Sequence, residues 1–327
     1  MKTFTFKEPS ELERASDLLR NGTRGYLLAG GTDLVTEMKQ GIIEPHLLVS
    51  TSQIQEMSDI EWDQSGVRIG SMVTLSDIVS HERMKIEVKS LVQAADSIAT
   101  PQIRNIATLG GNLCQRPRCW YYRNSRFNCI KKGGTKCFAV GGSDKYHAIL
   151  GGHSCYIVHP SDSATALVSL KAKVEIFRKS QRLTVPIVDF FTGPEIDVTR
   201  ENILEPGDIL ISIHIPNESM EGSSVFLKAK ERKSMDFAIV SVAAMIKIEN
   251  DRIRRAGLTV GGVAPVPWNL DILERKLVGL KAKDVDIKSL CSGVFKDAKV
   301  MGQNGYKLQL AQTYLERSLD MVLGNSN

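Results

Sequence analysis

The sequence predicts an α+β protein in which one long basic loop interrupts the succession of strands and helices. Three observations predict this fold class. Apolar strands and amphipathic helices alternate up to about residue 60, strand-like segments follow between residues 173 and 215, and strands give way to helices in the last hundred or so residues. The chain has 327 residues, of which 42% are hydrophobic and 24% charged, so we expect two or three units with substantial cores.

The first sixty residues are predicted to form a small βαβαβ-like unit. Its elements, in order, are a strand at 1–8, a helix that ends at Asn21-Gly22, a buried strand at 26–29, a helix at 34–40 and a strand at 46–50. The turn Gly30-Gly31-Thr32-Asp33 joins the second strand to its helix.

The remaining elements surround the basic loop. Before it we expect a strand from residue 66 and helices from residue 76 and over 88–99. After it come a helix at 163–171 with Asp162 as its N-cap, strands at 173–177, 183–188 and 208–215, and a boundary at 216–224. The last unit has strand-like segments at 224–228, 238–248 and 253–263, followed by helices at 269–279, 288–299 and 304–323.

Two Gly-Gly turns are candidate anion sites. Gly30-Gly31 lies between a strand and a helix, and Gly110-Gly111 follows Thr108. Paired glycines permit positive φ and let backbone N–H groups approach an anion, to which a helix N-terminus adds its dipole. Either turn alone can be a tight turn and nothing more, and no G-x-G-x-x-G follows the strand, which argues against a Rossmann site. Two such turns in one chain favour a dinucleotide.

The loop holds five of the six cysteines, Cys114, Cys119, Cys129, Cys137 and Cys155. A loop of about forty-five residues with little apolar periodicity is unusual, so we expect something other than a hydrophobic core to hold it. Buried small apolar residues and disulfides are alternatives, although no apolar N-terminal segment indicates export. Zinc is another, although no Cys-x2-Cys pair exists. The wide spacings after Cys119, of 10, 8 and 18 residues, favour an Fe–S cluster held by four thiolates.

Other residues in and near the loop carry weaker signals. His153 and His159 are candidate ligands but are more simply read as surface or core histidines, and Cys291 is predicted to fill the core of the last unit. Residues 113–157 contain eight Lys or Arg against one acid, Asp144, which gives the loop a charge of +7 in a chain of +5. This charge either compensates an anionic cluster or docks an acidic electron carrier. No aromatic-interleaved basic helix indicates nucleic acid, and no apolar run is long enough to span a bilayer.

Four separated motifs carry a family resemblance. They are LLAGGTDL (27–34), QIRNIATLGGN (102–112), HPSD (159–162) and FLKAKERKSMDFAIVSVAA (226–244). Together they resemble the FAD-binding medium subunit of molybdenum hydroxylases, which include xanthine dehydrogenase, carbon monoxide dehydrogenase and aldehyde oxidoreductases. The cysteine loop is similar to that of the subset with an added [4Fe–4S] cluster, as in 4-hydroxybenzoyl-CoA reductase and the bacterial periplasmic aldehyde oxidoreductase.

The resemblance covers essentially the whole chain and implies its architecture. A vanillyl-alcohol-oxidase (PCMH)-type FAD-binding domain would span residues 1–220, with subdomains of about 1–60 and 61–220 and the cluster loop at 113–157. A C-terminal domain like that of the carbon monoxide dehydrogenase flavoprotein would span 221–327. The segment between Cys137 and Cys155 is longer here than in 4-hydroxybenzoyl-CoA reductase, which affects the expected course of the loop more than its ligands.

The resemblance also implies the site residues. Those for FAD are Leu27, Leu28, Ala29, Gly30, Gly31, Thr32, Asp33, Leu34, Thr108, Leu109, Gly110, Gly111, Asn112, Trp120, Asp162, Leu210 and Lys228. In this set the two Gly-Gly turns bracket the pyrophosphate, while Lys228 is a basic position beside the isoalloxazine. The implied cluster ligands are Cys119, Cys129, Cys137 and Cys155. Cys114 occupies a non-ligand position, although it is close enough in sequence to be a substitute ligand.

The implied function is that of an electron-transfer subunit of an oxidoreductase, with no catalytic residue of its own. Its partners would be a small [2Fe–2S] subunit and a large molybdopterin subunit, in a heterotrimer or its dimer. Electrons would pass between the [2Fe–2S] centres, FAD and an external NAD, ferredoxin, quinone or oxygen. The expected compartment is the cytoplasm, or the periplasm if a partner carries an export signal. The alternatives are a self-sufficient flavin oxidoreductase with its own small substrate and a metal-binding scaffold without flavin.

Overall fold

Three sheets form the framework of the structure, a computed structural model that describes residues 2–21 and 23–324. One sheet is parallel and lies near the N-terminus, and the other two are antiparallel. Helices pack against each of them, which confirms the α+β fold class.

The N-terminal unit is a three-stranded parallel sheet in the order β1–β3–β2. Its elements are β1 (Thr5–Lys7), α1 (Leu12–Asn21), β2 (Gly25–Leu28), α2 (Leu34–Lys39) and β3 (Leu47–Ser50). This is the βαβαβ arrangement expected from the sequence. Because ligands of such units bind beyond the carboxyl ends of the strands, the turn after β2 lies where a cofactor is expected.

The middle of the chain forms a five-stranded antiparallel sheet in the order β4–β5–β8–β6–β7. Its strands are β4 (Ile60–Trp62), β5 (Gly66–Gly70), β6 (Lys173–Arg178), β7 (Gln181–Pro186) and β8 (Ile209–Pro216). Its helices are α3 (Leu75–Ser80), α4 (Glu82–Glu87), α5 (Lys89–Asp96), α6 (Pro101–Arg104), α7 (Leu109–Leu113), α8 (Asp162–Ser169), α9 (Ile187–Phe190) and α10 (Asn217–Met220). The cysteine loop joins α7 to α8, and its one regular element is the short 3-10 helix Ile130–Lys132.

The C-terminal part is a four-stranded antiparallel sheet in the order β12–β11–β10–β9. Its elements are β9 (Ser223–Ala229), β10 (Val240–Glu249), β11 (Arg252–Gly261), β12 (Trp268–Asn269), α11 (Asp271–Leu277), α12 (Ile287–Cys291) and α13 (Tyr306–Leu323), with a 3-10 turn at Ala282–Asp284. No helix in residues 2–21 and 23–324 combines the length and the apolar character needed to cross a membrane.

Helices α5 and α8 lie between the two antiparallel sheets. Leu91 of α5 and Ala166 of α8 belong to one apolar core that also contains Ile213 of β8 and Met245 of β10. All four side chains are fully buried. A separate core fills the C-terminal part and includes Cys291, which is the core position expected from the sequence.

Two local expectations were wrong, the helix at 288–299, where only Ile287–Cys291 is helical, and the N-cap role of Asp162. Asp162 does not cap α8, because the hydroxyl of Ser161 accepts the bond from the Ala164 N–H at 3.0 Å. Asp162 is instead the first helical residue, so its carboxylate is available for another partner. The second Gly-Gly turn lies within the short helix α7, whose N-cap Thr108 accepts from the Gly111 N–H at 3.1 Å.

Candidate cofactor sites

A large cavity lies where the N-terminal unit meets the five-stranded sheet. Its volume of about 690 Å³ is in the range of small-molecule and cofactor sites. Both Gly-Gly turns line it. The residues implied for FAD that line this cavity are Leu27, Ala29, Gly30, Gly31, Thr32, Asp33, Leu34, Thr108, Gly110, Gly111 and Leu210.

The two turns need glycine for different reasons. Gly31 has a φ of +70°, a conformation that L-residues rarely adopt. A β-carbon on Gly110 would lie 2.6 Å from the β-carbon of Ser71, and one on Gly30 would collide with the backbone at Ile106. Positive φ therefore explains one glycine of the first turn. Close packing of backbone against backbone or side chain explains Gly30 and Gly110.

A second cavity of about 300 Å³ continues from the first. Four residues line both cavities, Thr32, Asp33, Gly111 and Gln115. Three of the residues implied for FAD line only the second cavity, Asn112, Asp162 and Lys228. The two cavities together form one groove, which we call the flavin groove.

Asp162 and Lys228 form a buried ion pair in this groove, with Nζ 2.7 Å from Oδ2. Burial raises the pKa of Asp162, and the Lys228 ammonium opposes that shift. The backbone carbonyl of Ser97 also accepts a bond from Lys228 Nζ, at 3.0 Å. The pair joins α8 to β9 in the wall of the second cavity.

Three other residues implied for FAD line neither cavity. Leu109 is fully buried in the core, and Leu28 is half-buried in β2. The Trp120 ring lies in an aromatic cluster, with centroids 5.6 Å from those of Tyr146 and His147. Trp120 therefore belongs to the surroundings of the cysteines.

The four cysteines implied as ligands line one small, enclosed cavity, which we call the cysteine cavity; they are Cys119, Cys129, Cys137 and Cys155. No group of three or more His, Cys, Asp or Glu side chains within residues 2–21 and 23–324 is arranged to hold a single metal ion. A cubane cluster binds each thiolate through a different iron, so its ligands surround a wider centre than one ion does. Four cysteine side chains around one cavity are the number and type of ligand that a [4Fe–4S] cluster takes.

The other candidate ligands lie elsewhere. Cys114 lines the flavin groove, where burial raises its pKa to about 12. His153 is exposed, and His159 packs against Phe191 with ring centroids 4.7 Å apart. The histidine that does line the cysteine cavity is His147, which sequence reasoning did not single out.

Four of the loop's eight basic residues meet acids inside the protein. Arg118 and Arg123 pair with Asp33 of the first Gly-Gly turn. Arg116 and Lys131 pair with Glu201, whose side chain is only 2% exposed. The carbonyl oxygen of Val198 also accepts from Lys131, at 2.9 Å. Lys131 is therefore an internal cation and not part of a docking surface.

Sequence reasoning also missed Tyr122 and Glu37. The Tyr122 hydroxyl donates to Glu37 Oε1 at 2.7 Å and accepts from Arg116 Nε at 2.9 Å. Burial raises the pKa of Glu37, and the bond from Tyr122 opposes that shift. All three side chains line the flavin groove. The spacing of loop residues carries no signal for them, because the loop has no regular period that would indicate which side chains point inward.

Comparison with known proteins identifies the family. Residues 2–218 match the FAD binding domain in molybdopterin dehydrogenase, and residues 225–322 match the CO dehydrogenase flavoprotein C-terminal domain. The chain belongs to the FAD-binding subunits of molybdenum hydroxylases. The family, the FAD cofactor and the role as an oxidoreductase subunit expected from the sequence are thereby confirmed.

Individual members of this family align over almost their full length. The FAD-binding subunit of aldehyde oxidoreductase from Escherichia coli is 31% identical over 330 residues, which cover 100% of this chain and 99% of that protein. The carbon monoxide dehydrogenase medium chain of Hydrogenophaga pseudoflava is 23% identical over 323 residues, 97% of this chain and 96% of that protein. A solved structure of carbon monoxide dehydrogenase from the same organism superimposes with a TM-score of 0.78 at 22% identity, covering 100% of this chain and 99% of that one.

Proposed function

We propose that this FAD-binding subunit also holds a [4Fe–4S] cluster and transfers electrons between the cluster and FAD. FAD would occupy the flavin groove, with its pyrophosphate between the two Gly-Gly turns and its isoalloxazine towards Lys228. The cluster would occupy the cysteine cavity. The bound flavin and cluster supply the redox chemistry, and the chain supplies binding, orientation and electrostatics.

One observation carries the electron-transfer proposal: the flavin groove and the cysteine cavity share a wall. Tyr122 and Lys131 line both of them. Each side chain is fixed by a buried acid, since Tyr122 donates to Glu37 and Lys131 pairs with Glu201. A single layer of side chains thus separates the two proposed cofactors. A cluster with a purely structural role would not need to lie against the flavin groove.

We propose that this subunit works with a small [2Fe–2S] chain and a large molybdopterin chain. The relatives named medium chains, of carbon monoxide dehydrogenase and of glyceraldehyde dehydrogenase, support such an assembly. The division of this chain near residue 220 is part of the same proposal. It is supported by the sheets, because the five-stranded sheet ends with β8 and the four-stranded sheet begins with β9.

Cofactor analysis of the anaerobically purified chain tests the proposal. We expect one FAD per chain, together with about four iron and about four acid-labile sulfide. Zinc without sulfide would contradict the cluster, and a colourless protein would contradict the flavin. The rival function, a self-sufficient flavin oxidoreductase, predicts that small substrates reduce FAD in this chain without any partner subunit. We expect no such reduction.

A further inference from the structure

His147 is the one histidine that lines the cysteine cavity within the described residues. Its Nε2 lies 3.2 Å from Sγ of Cys119, within hydrogen-bonding distance for a sulfur acceptor. The residue is 3% exposed, and its ring meets Trp120 edge-on at an interplanar angle of 63°. Packing therefore holds the imidazole against the thiol of one proposed ligand.

The C-terminal part of the chain fixes the backbone around His147 from outside the loop. The carboxylate of Asp144, three residues earlier, accepts from the backbone N–H groups of Gly302 at 2.8 Å and Gln303 at 2.7 Å. The His147 N–H in turn donates to the carbonyl oxygen of Asp144 at 2.8 Å. These bonds anchor the turn that carries the imidazole to the segment before α13.

Two further side chains of the C-terminal part complete this anchor. Asn304 is fully buried, and its Nδ2 donates to the carbonyl oxygen of Ala148 at 3.1 Å and to that of His147 at 3.4 Å. Lys307 is also fully buried, and its Nζ donates to the carbonyl oxygens of Tyr146 and Gly262, each at 2.8 Å. Burying a lysine without a carboxylate partner is costly, and these two bonds satisfy its Nζ while they join the two segments.

We infer that His147 is a positioning and tuning residue of the cluster: its Nε2–H donates to the Cys119 thiolate, and the C-terminal part holds it in place. The inference rests on the proposed [4Fe–4S] function. A ligand thiolate carries no proton, so the shared proton must belong to Nε2. Reduction adds one electron to the cluster without forming or breaking a bond. A donated hydrogen bond stabilises that added negative charge, which raises the reduction potential.

The test compares His147→Leu, which removes the donor, with His147→Gln, which keeps an N–H donor on a side chain of similar reach. The matched control is His153→Asn, because His153 is an exposed histidine of the same loop and Asn tolerates its φ of +41°. Each protein is analysed for iron and sulfide, and its midpoint potential is measured by dithionite titration followed by electron paramagnetic resonance.

We expect all variants to keep the wild-type iron content. His147→Leu should shift the reduction equilibrium roughly tenfold towards the oxidised cluster, about 59 mV for a one-electron couple. His147→Gln and His153→Asn should stay near the wild-type potential. Asn304→Ala should lower the potential less, and adding it to His147→Leu should cause no further change, because both act through one contact.

The outcomes separate this inference from the proposed function. If the wild-type protein holds no iron or sulfide, the proposed function fails and the inference falls with it. If the wild-type protein holds the cluster and His147→Leu has an unchanged potential, the inference alone is overturned. If His147→Leu and His147→Gln both lose the cluster, His147 is required for binding it, and a tuning role is overturned.

Discussion

Gly30 and the carbonyl oxygen of Ile106 approach so closely that a β-carbon on Gly30 would stand 2.0 Å from that oxygen. Ile106 lies two residues before Thr108, which caps the helix that carries the second Gly-Gly turn. The contact therefore joins the two turns that line the flavin groove, and it sets the distance between them.

We expect Gly30→Ala to lose FAD and about 3 kcal/mol or more of stability, because the clash is with backbone and cannot be relieved by a rotamer change. Gly111→Ala should keep the fold, since its β-carbon meets only the Thr108 hydroxyl, at 2.9 Å. It should bind FAD more weakly, because Gly111 lines the flavin groove. Gly305→Ala is the control, because the nearest atoms to its β-carbon are 4.0 Å away. Flavin absorbance and thermal denaturation measure the effects; full FAD content in Gly30→Ala would contradict the assignment of the turns.

Single Cys→Ser changes should separate ligands from bystanders. Variants at Cys119, Cys129, Cys137 and Cys155 should lose iron and sulfide, because all four side chains line the cysteine cavity. Cys114→Ser and Cys291→Ser should keep both, because Cys114 lines the flavin groove and Cys291 lies in the C-terminal core. Iron and sulfide analysis of each variant measures the effect. If Cys114→Ser loses the cluster and a Ser variant at one of the four proposed ligands keeps it, the ligand set is a different one.

The buried pair of Lys131 and Glu201 gives a stability prediction. Glu201→Gln leaves the charges of Lys131 and Arg116 without their acid, and we expect a loss of about 3–5 kcal/mol in the free energy of unfolding. Glu82→Gln, which breaks an exposed pair with Lys85, should leave stability unchanged within error. Urea denaturation measures both, and an equal effect of the two changes would contradict the role of burial.

The exposed basic residues of the loop test whether an acidic electron carrier docks there, because Lys131 is internal and cannot contact a carrier. Arg126 and Lys136 are exposed, and neither forms a salt bridge within the described residues. We expect Arg126→Glu with Lys136→Glu to keep flavin and cluster and to leave the rate with a ferredoxin-type acceptor unchanged. A slower rate with a flatter dependence on salt would show instead that an acidic carrier docks there.

Lys307 predicts a pH dependence of stability. Burial lowers its pKa to about 7, whereas the pKa of a lysine in the unfolded chain is about 10.4. Between these values the unfolded chain binds more protons, so stability contributed at this site rises with pH. We expect the stability of the wild type relative to Lys307→Met to increase from about pH 7 to about pH 10 and to be flat below that window. Urea denaturation across this range measures it, and a constant difference would show that Lys307 titrates normally.

Much of the fold was predictable because its signals are local. The alternation of strand and helix over the first fifty residues predicted the N-terminal unit with β2, α2 and β3 within one residue of their bounds, although β1 is shorter than expected. Each element there has its own periodicity and a glycine or proline boundary. Expectations failed where two local signals competed. Ser161 and Asp162 are both good N-cap residues, and packing of α8 placed Asp162 one position further on, where its carboxylate pairs with Lys228.

The sequence by itself determined the family, the two Gly-Gly turns and the four spaced cysteines, because motif identity and cysteine spacing are properties of the chain order. Only the tertiary structure decided which residues of the long loop face which cavity. It placed Cys114 in the flavin groove, His147 beside Cys119, and Tyr122 with Lys131 in the wall between the two sites. The physical reason is that a loop without a repeating period takes its course from distant partners. Glu37, Glu201 and Asn304, far apart in sequence, each bond to a residue of this loop and fix its path.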